Sequence, residues 1–183
     1  MSEYTPKNST YSLEGYSVEW KERFAEIRKT LERIFGSKAL RIEHVGSTAI
    51  EGMSAKPVID VLVVVPNIAN VDAERVRMQN LGYMYKKNYI AENSLFFCKD
   101  VDGKRSENIH VFPEAHVRIA SFIDKREYFR THPDEVRRYE ELKLSLAAQF
   151  PNDYRAYAKG KNDYLNRELE EKVHAWKNGF EEL

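Results

Sequence analysis

The chain has 183 residues, 42% of them hydrophobic, and its 29 Lys+Arg balance 29 Asp+Glu, leaving no net charge at neutral pH. That length and apolar content suit one domain with a real core, the balanced charge argues against a general nucleic-acid binder, and a single cysteine, Cys98, excludes an internal disulfide. The N-terminal residues are polar and no apolar stretch approaches the roughly 20 residues of a membrane helix, so a soluble, cytoplasmic protein with no membrane partner is expected.

Residues 1–10 are polar and read as loose, and residues 11–16 as a short edge strand. Trp20, Phe24, Ile27, Leu31 and Ile34 recur at spacings of four and three, which predicts an amphipathic helix stopped by Gly36. A strand follows over 40–45, then the Gly46-Ser47-Thr48 turn and a short helix or loop over 48–54. Residues 58–65 are filled almost without a break by β-branched side chains and read as a buried strand, ended by Pro66-Asn67. Residues 71–81 read as a helix closed by Gly82, and 83–90, 94–99 and 107–112 as three strands, the last two joined through Asp102-Gly103. From Glu114 onward the pattern is helical, broken near His132-Pro133 and at Phe150-Pro151-Asn152. A helix, mixed strands with one crossover helix and a helical tail make an α+β layout, with helices packed on a mixed sheet.

Asp60 stands out because a carboxylate inside a buried strand is costly unless something pairs with it. It reads as a ligand for a divalent metal or a basic ligand group, or as a structural carboxylate bonded to backbone N–H groups of the Gly-Ser turn. The turn can offer N–H groups and hydroxyls to an anion, so turn and carboxylate together suggest a phosphate and metal site. Ser47 and Thr48 read equally as an ordinary N-cap. His44 and His110 fall on different strands. If they converge with Asp60 they could bind a transition metal or hydrogen-bond phosphate; otherwise they are satisfied, partly buried histidines. Two-metal phosphoryl chemistry needs several carboxylates. Leu62 supplies none, which leaves Glu43, Glu92 and Glu107 as substitutes. Cys98 reads as a packed thiol, Lys125, Arg137 and Arg138 as solvated charges, and Tyr128, Tyr139, Tyr154, Tyr157 and Tyr164 as packing between helices rather than stacking on a base.

The segment Ile42-Glu43-His44-Val45-Gly46-Ser47-Thr48-Ala49, followed by Lys56-Pro57 and the strand bearing Asp60, resembles the GrpB family. Asn108-Ile109-His110-Val111, the run from Arg126 to Pro133, Leu142-Lys143, and the run from Tyr157 to Tyr164 with Lys161 extend the resemblance over nearly the whole chain. It implies a nucleotidyltransferase-like fold in a single domain, with a core over about 11–113 and a helical segment over about 114–183. It also assigns Lys56, Arg126, Arg130 and Lys161 to a basic wall opposite the Gly-Ser turn, suited to phosphate.

Two departures matter. Nucleotidyltransferases follow Gly-Ser with Asp-hydrophobic-Asp/Glu, and here Leu62 holds the second acidic position. The family strand usually begins His-x-His, and here Asn108 replaces the first His. The resemblance thus implies a ligand set of His44, Gly46, Ser47, Thr48, Lys56, His110, Arg126, Arg130 and Lys161, with Asp60 as catalytic and metal residue. The expected ligand is a phosphate-bearing small molecule, a nucleotide above all, with Mg²⁺-dependent nucleotidyl or phosphoryl transfer if an enzyme. Two alternatives stand beside it: a non-catalytic ligand sensor or folding partner for another protein, and a His/Asp metal-dependent hydrolase.

Overall fold

The computed structural model describes residues 11–179, so the loose segment read over residues 1–10 lies outside it. Helix α1 (Glu19–Phe35) forms as the spacing predicts. It buries Trp20, Ile27, Leu31 and Ile34 on one stripe, and Gly36 ends it at φ 53°. Strand β1 (Arg41–Val45) leads through Gly46 and a single 3₁₀ turn, Ser47–Ala49, towards β2 (Ile59–Val65). Helix α2 (Asp72–Asn80), β3 (Met84–Lys87), β4 (Leu95–Val101) and β5 (Lys104–Pro113) complete the sheet region. Helices α3 (Arg118–Thr131), α4 (Pro133–Gln149), α5 (Tyr154–Asn166) and α6 (Glu168–Lys177) follow.

Among the described residues the strands form one five-stranded mixed sheet ordered β1-β2-β5-β4-β3, with β2 and β5 parallel and the other neighbours antiparallel. The expected α+β architecture is therefore present. The apolar run of β2 from Val61 to Val65 has a direct cause: both faces of this strand are covered. Ile59, Val61, Val63 and Val65 point into a core with Trp20, Leu31 and Met78 under α1 and α2. Leu62 and Val64 point the other way, into a core with Val45, Phe112 and Ile119 under α3. A third cluster, including Tyr128, Phe129, Tyr139, Tyr164 and Leu169, holds the C-terminal helices together. Most of the tail tyrosines pack there as read, with Tyr139 stacked on Tyr164 at 5.2 Å.

Three readings need correction. The edge strand over 11–16 reduces to one bridge, Glu14 with Ala55. The β4–β5 hairpin is longer than read, because Asp102 and Gly103 both take left-handed φ (51° and 73°) in a tight turn, and pairing runs down to Val101–Lys104. The tail also breaks at Arg167, between α5 and α6, where φ −122° and ψ −82° leave the helix; neither glycine nor proline marks that break.

Leu62 is fully buried. Leu62→Ala is expected to lower unfolding free energy by about 2–5 kcal/mol. Leu62→Asp, which adds an unpaired charge to the same cavity, is expected to cost more. Urea denaturation of the two variants measures both, and equal costs would show that this core admits water.

Candidate functional site

The β1–β2 register sets Val45 opposite Asp60, so the turn leaving β1 meets the start of β2. Gly46 sits at φ 73°, and a Cβ built on it would lie 2.7 Å from Asp60 Oδ2. Only glycine allows both that conformation and that approach. On the other side of Asp60, the parallel register sets Asn108 beside it. Asn108 Nδ2 donates to Asp60 Oδ1 at 2.9 Å, and His110 Nε2 faces the same oxygen at 3.4 Å. The structural role considered for Asp60 thus takes a different form: its hydrogen bonds come from β5 side chains. Burial pushes the Asp60 carboxyl up, but the His110 and Asn108 contacts and the charge of Lys56 outweigh that and hold it below the usual range. The carboxylate keeps 29% of its side-chain surface open.

The hydrogen-bond chain continues outward. Arg105 Nη1 donates to Asn108 Oδ1 at 3.1 Å, and its Nε donates to Asp100 at 2.6 Å. The Asn that replaces the family's histidine therefore links Asp60 to an arginine on the β4–β5 hairpin. The His110 ring lies between Phe96 (5.2 Å) and Phe122 (4.9 Å), and its Nδ1 is buried without a partner among the described residues.

Opposite the turn stand three lysines. Lys56 Nζ donates to Tyr154 Oη at 2.8 Å and lies 4.0 Å from that ring's centroid. Burial drives its pKa down to about 8 and Arg105 adds to this, against the pull of Asp60. Lys161, on α5, lies over Tyr157 and feels Tyr154, Lys56 and Asp60; burial leads in lowering its pKa. Lys143, on α4, is buried at 1% exposure, donates to the Ser54 carbonyl and sits over Tyr139. Burial first and Lys161 second bring it down to about 7. Tyr139 in turn interacts with Ser47. Charge interactions link Lys143 to Lys161, Lys161 to Lys56, and both Lys56 and Lys161 to Asp60, so the Gly46 turn, Asp60 and the three amines form one ring.

The structure thus brings Gly46, Ser47, Lys56, Asp60, His110 and Lys161 together. Four other sequence candidates sit elsewhere or are engaged. His44 pairs with Val61 and so lies on the α1 face, stacked on Phe24 at 4.7 Å, with Nε2 3.0 Å from Thr48 Oγ1. The Thr48 hydroxyl also donates to Val58 O at 3.3 Å, so His44 and Thr48 latch the turn to the strand entrance. Arg126 ties α3 to β1, donating to Glu43 Oε2 and to the His44 carbonyl, each at 2.9 Å. Arg130 donates to the Ala49 carbonyl at 3.1 Å, at the foot of the turn. Arg105, Lys143, Tyr139 and Tyr154 were missed as site residues. Lys143 carried a signal, since it falls in a stretch matching the family. A broad cavity of about 780 Å³ runs along α1 past Glu19, Glu22, Arg23, Glu26 and Glu107, but its carboxylates suit no anion.

The donor set fits a metal poorly. Among the described residues no three His, Cys, Asp or Glu side chains group to hold an ion. His44 cannot join His110 and Asp60 because the sheet separates them, which corrects the condition for a His/Asp hydrolase. Glu43 is taken by Arg41 and Arg126, and Glu107 accepts from Tyr83. Asp60 is left as a single carboxylate, where Mg²⁺ chemistry on a transferring phosphate uses several.

A family model described as GrpB protein matches residues 10–171. The UPF0157 protein YqkA of Bacillus subtilis is 34% identical over 164 residues, covering 90% of this chain, and this chain spans 47% of that relative's length. The crystal structure of conserved protein GrpB from Enterococcus faecalis superposes with a TM-score of 0.77 at 27% identity, covering 86% of this chain and 99% of that one. A cytoplasmic RNA terminal U-transferase overlays more loosely, at a TM-score of 0.48 and 16% identity over 73% of this chain and 41% of its own, a likeness that carries nothing about activity.

Two outcomes are expected. Gly46→Ala, strained at φ 73° and driven against Asp60, should cost about 1–3 kcal/mol in chemical denaturation. Burial lowers His44 from 6.5 to about 4, so the unfolded chain binds more protons between those values and stability falls as pH falls through that window. The depressed carboxylates, Asp60, Glu43 and Glu135 among them, act mainly below about pH 5, which leaves the upper part to His44. Thermal midpoints from pH 6.5 to 4.5 should drop in the native protein and stay flatter in His44→Gln; parallel curves would assign the loss elsewhere.

Proposed function

We propose a function from one premise: the chain belongs to the GrpB family. Its site binds a phosphate-bearing small molecule, a nucleotide above all, between the Gly46-Ser47 turn and the lysines facing it. One observation carries this reading. Lys56, Lys143 and Lys161 converge beside a turn that only glycine can make, and the two carboxylates that act on them, Asp60 and Glu140, already accept hydrogen bonds from other groups. Amines set this close repel one another, and an anion relieves that repulsion. Backbone N–H groups and ammonium groups suffice to hold phosphate.

A specific observation favours binding without transfer. Leu62 fills the position of a second carboxylate with a fully buried side chain packed against Val45 and Phe112. The reading derives no step through Mg²⁺ and favours a ligand-sensing module, alone or with a protein partner, over a transferase.

Calorimetry with ATP tests this. Binding is expected without added Mg²⁺, with turnover near background, and Lys161→Ala should weaken it about 10–100-fold, the loss of one charge-assisted hydrogen bond. Unchanged affinity in Lys161→Ala, or Mg²⁺-dependent transfer lost in Asp60→Asn, would overturn the reading.

A further inference from the structure

We infer that this site takes up its phosphate ligand together with protons, so that occupancy by a ligand of two or more negative charges is coupled to pH. The inference rests on the phosphate reading above and deepens it.

The argument is one of charge and burial. Four basic groups face this ring: Lys56 ahead of β2, Arg105 on β5, Lys143 on α4 and Lys161 on α5. The carboxylates that act on the lysines are Asp60 on β2 and Glu140 on α4. Glu140 is already engaged, accepting from the Ser54 backbone N–H at 2.9 Å. Asp60 likewise takes Asn108 and His110. The other groups at hand are the Tyr154 hydroxyl and those of Tyr139 and Tyr157, which burial raises above this range. Asp100, on β4, already pairs with Arg105 at 2.6 Å, so with every amine protonated the ring holds about one more positive than negative charge.

Lys143 bears the surplus worst. It is 1% exposed, the charged group acting on it from α5 is a like charge, and its one hydrogen-bond acceptor among the described residues is the neutral Ser54 carbonyl. Its amine, near 7, is only partly charged at neutral pH, and that of Lys56 near 8 begins to discharge just above. A bound dianion supplies the missing counter-charge and raises both values, so protons enter with the ligand. The sign follows. Affinity should fall as pH rises from about 7 to 9, approaching tenfold per pH unit for one linked proton. Below about pH 6 the amines are already charged and the uptake should vanish.

The test is titration calorimetry with ATP and EDTA at about pH 8, where the terminal phosphate is ionised, in three buffers of different ionisation enthalpy. The slope of heat against buffer enthalpy counts protons. About one proton taken up per ATP at pH 8, falling to none or to release at pH 6, is the expected result. Sulfate, whose charge is constant across this range, should compete with ATP more weakly as pH rises. Lys143→Met should remove most of the uptake; should that variant fail to fold, the native protein's pH series decides alone. Binding with no proton uptake at pH 8 would overturn this inference and leave the phosphate reading standing. Absence of ATP binding at every pH would overturn the phosphate reading, and this inference with it.

Discussion

The approach of the Gly46 turn to Asp60 is the constraint on which the site depends. It follows from pairing: Val45 opposite Asp60 brings the end of one strand to the start of the next. The contact demands glycine twice, once for φ 73° and once because a Cβ would meet the carboxylate at 2.7 Å. With the turn pinned there, Ser47 reaches Tyr139 on α4, and the 3₁₀ turn that follows offers its carbonyl to Arg130 on α3. The helical tail is thereby seated against the sheet, and it carries two of the three lysines. A movement of the turn would therefore disturb the carboxylate, the amines and the docking of α3 and α4 together.

The two faces of the sheet divide the work. The α1 face carries the larger core and the His44–Thr48 latch, a buried neutral pair that needs no counter-charge. The opposite face carries Asp60, Asn108 and His110 in a row across β2 and β5. Polar side chains there are tolerated because each bonds the next, from Asp100 through Arg105 and Asn108 to Asp60. One atom breaks the pattern, the buried His110 Nδ1. An unpaired ring nitrogen costs stability wherever it is buried, and this one belongs to the row that ends at the open carboxylate.

Much of this was legible in the sequence, for physical reasons. The α1 stripe, the continuous apolar run of β2 and the Gly-Ser turn announced themselves because burial and backbone geometry leave local marks. The alternation of Ile109, His110 and Val111 put His110 on the face away from those apolar residues. The rest depended on pairing that no local pattern encodes. His44 and Asp60 lie on opposite faces only because of the β1–β2 register. Arg126 reads as a ligand residue through its match to the family, yet its guanidinium is held by Glu43 and the His44 carbonyl, 83 and 82 positions earlier in the chain. Lys143 was marked only by its place in a family stretch, because its burial arises from how α4 folds back over Ser54. The break at Arg167 left no mark because packing of α6 on α3, rather than a glycine or proline, redirects the chain.

The placement of charge then explains why position 62 holds leucine. A carboxylate there would face Val45, Val64, Phe112 and Ile119, with Glu43 as its cross-strand neighbour on β1. Glu43 already needs Arg41 and Arg126 to offset its own burial, so a second acid would stand against a like charge in an apolar pocket. The fold instead fills that layer with hydrocarbon and sets its cations on the far side of Asp60, as lysine amines. An amine differs from a metal ion in one respect that matters here: it can give up its charge when nothing balances it. Asp60 draws its counter-charge from Lys56 and its hydrogen bonds from Asn108 and His110, all of them groups of this chain.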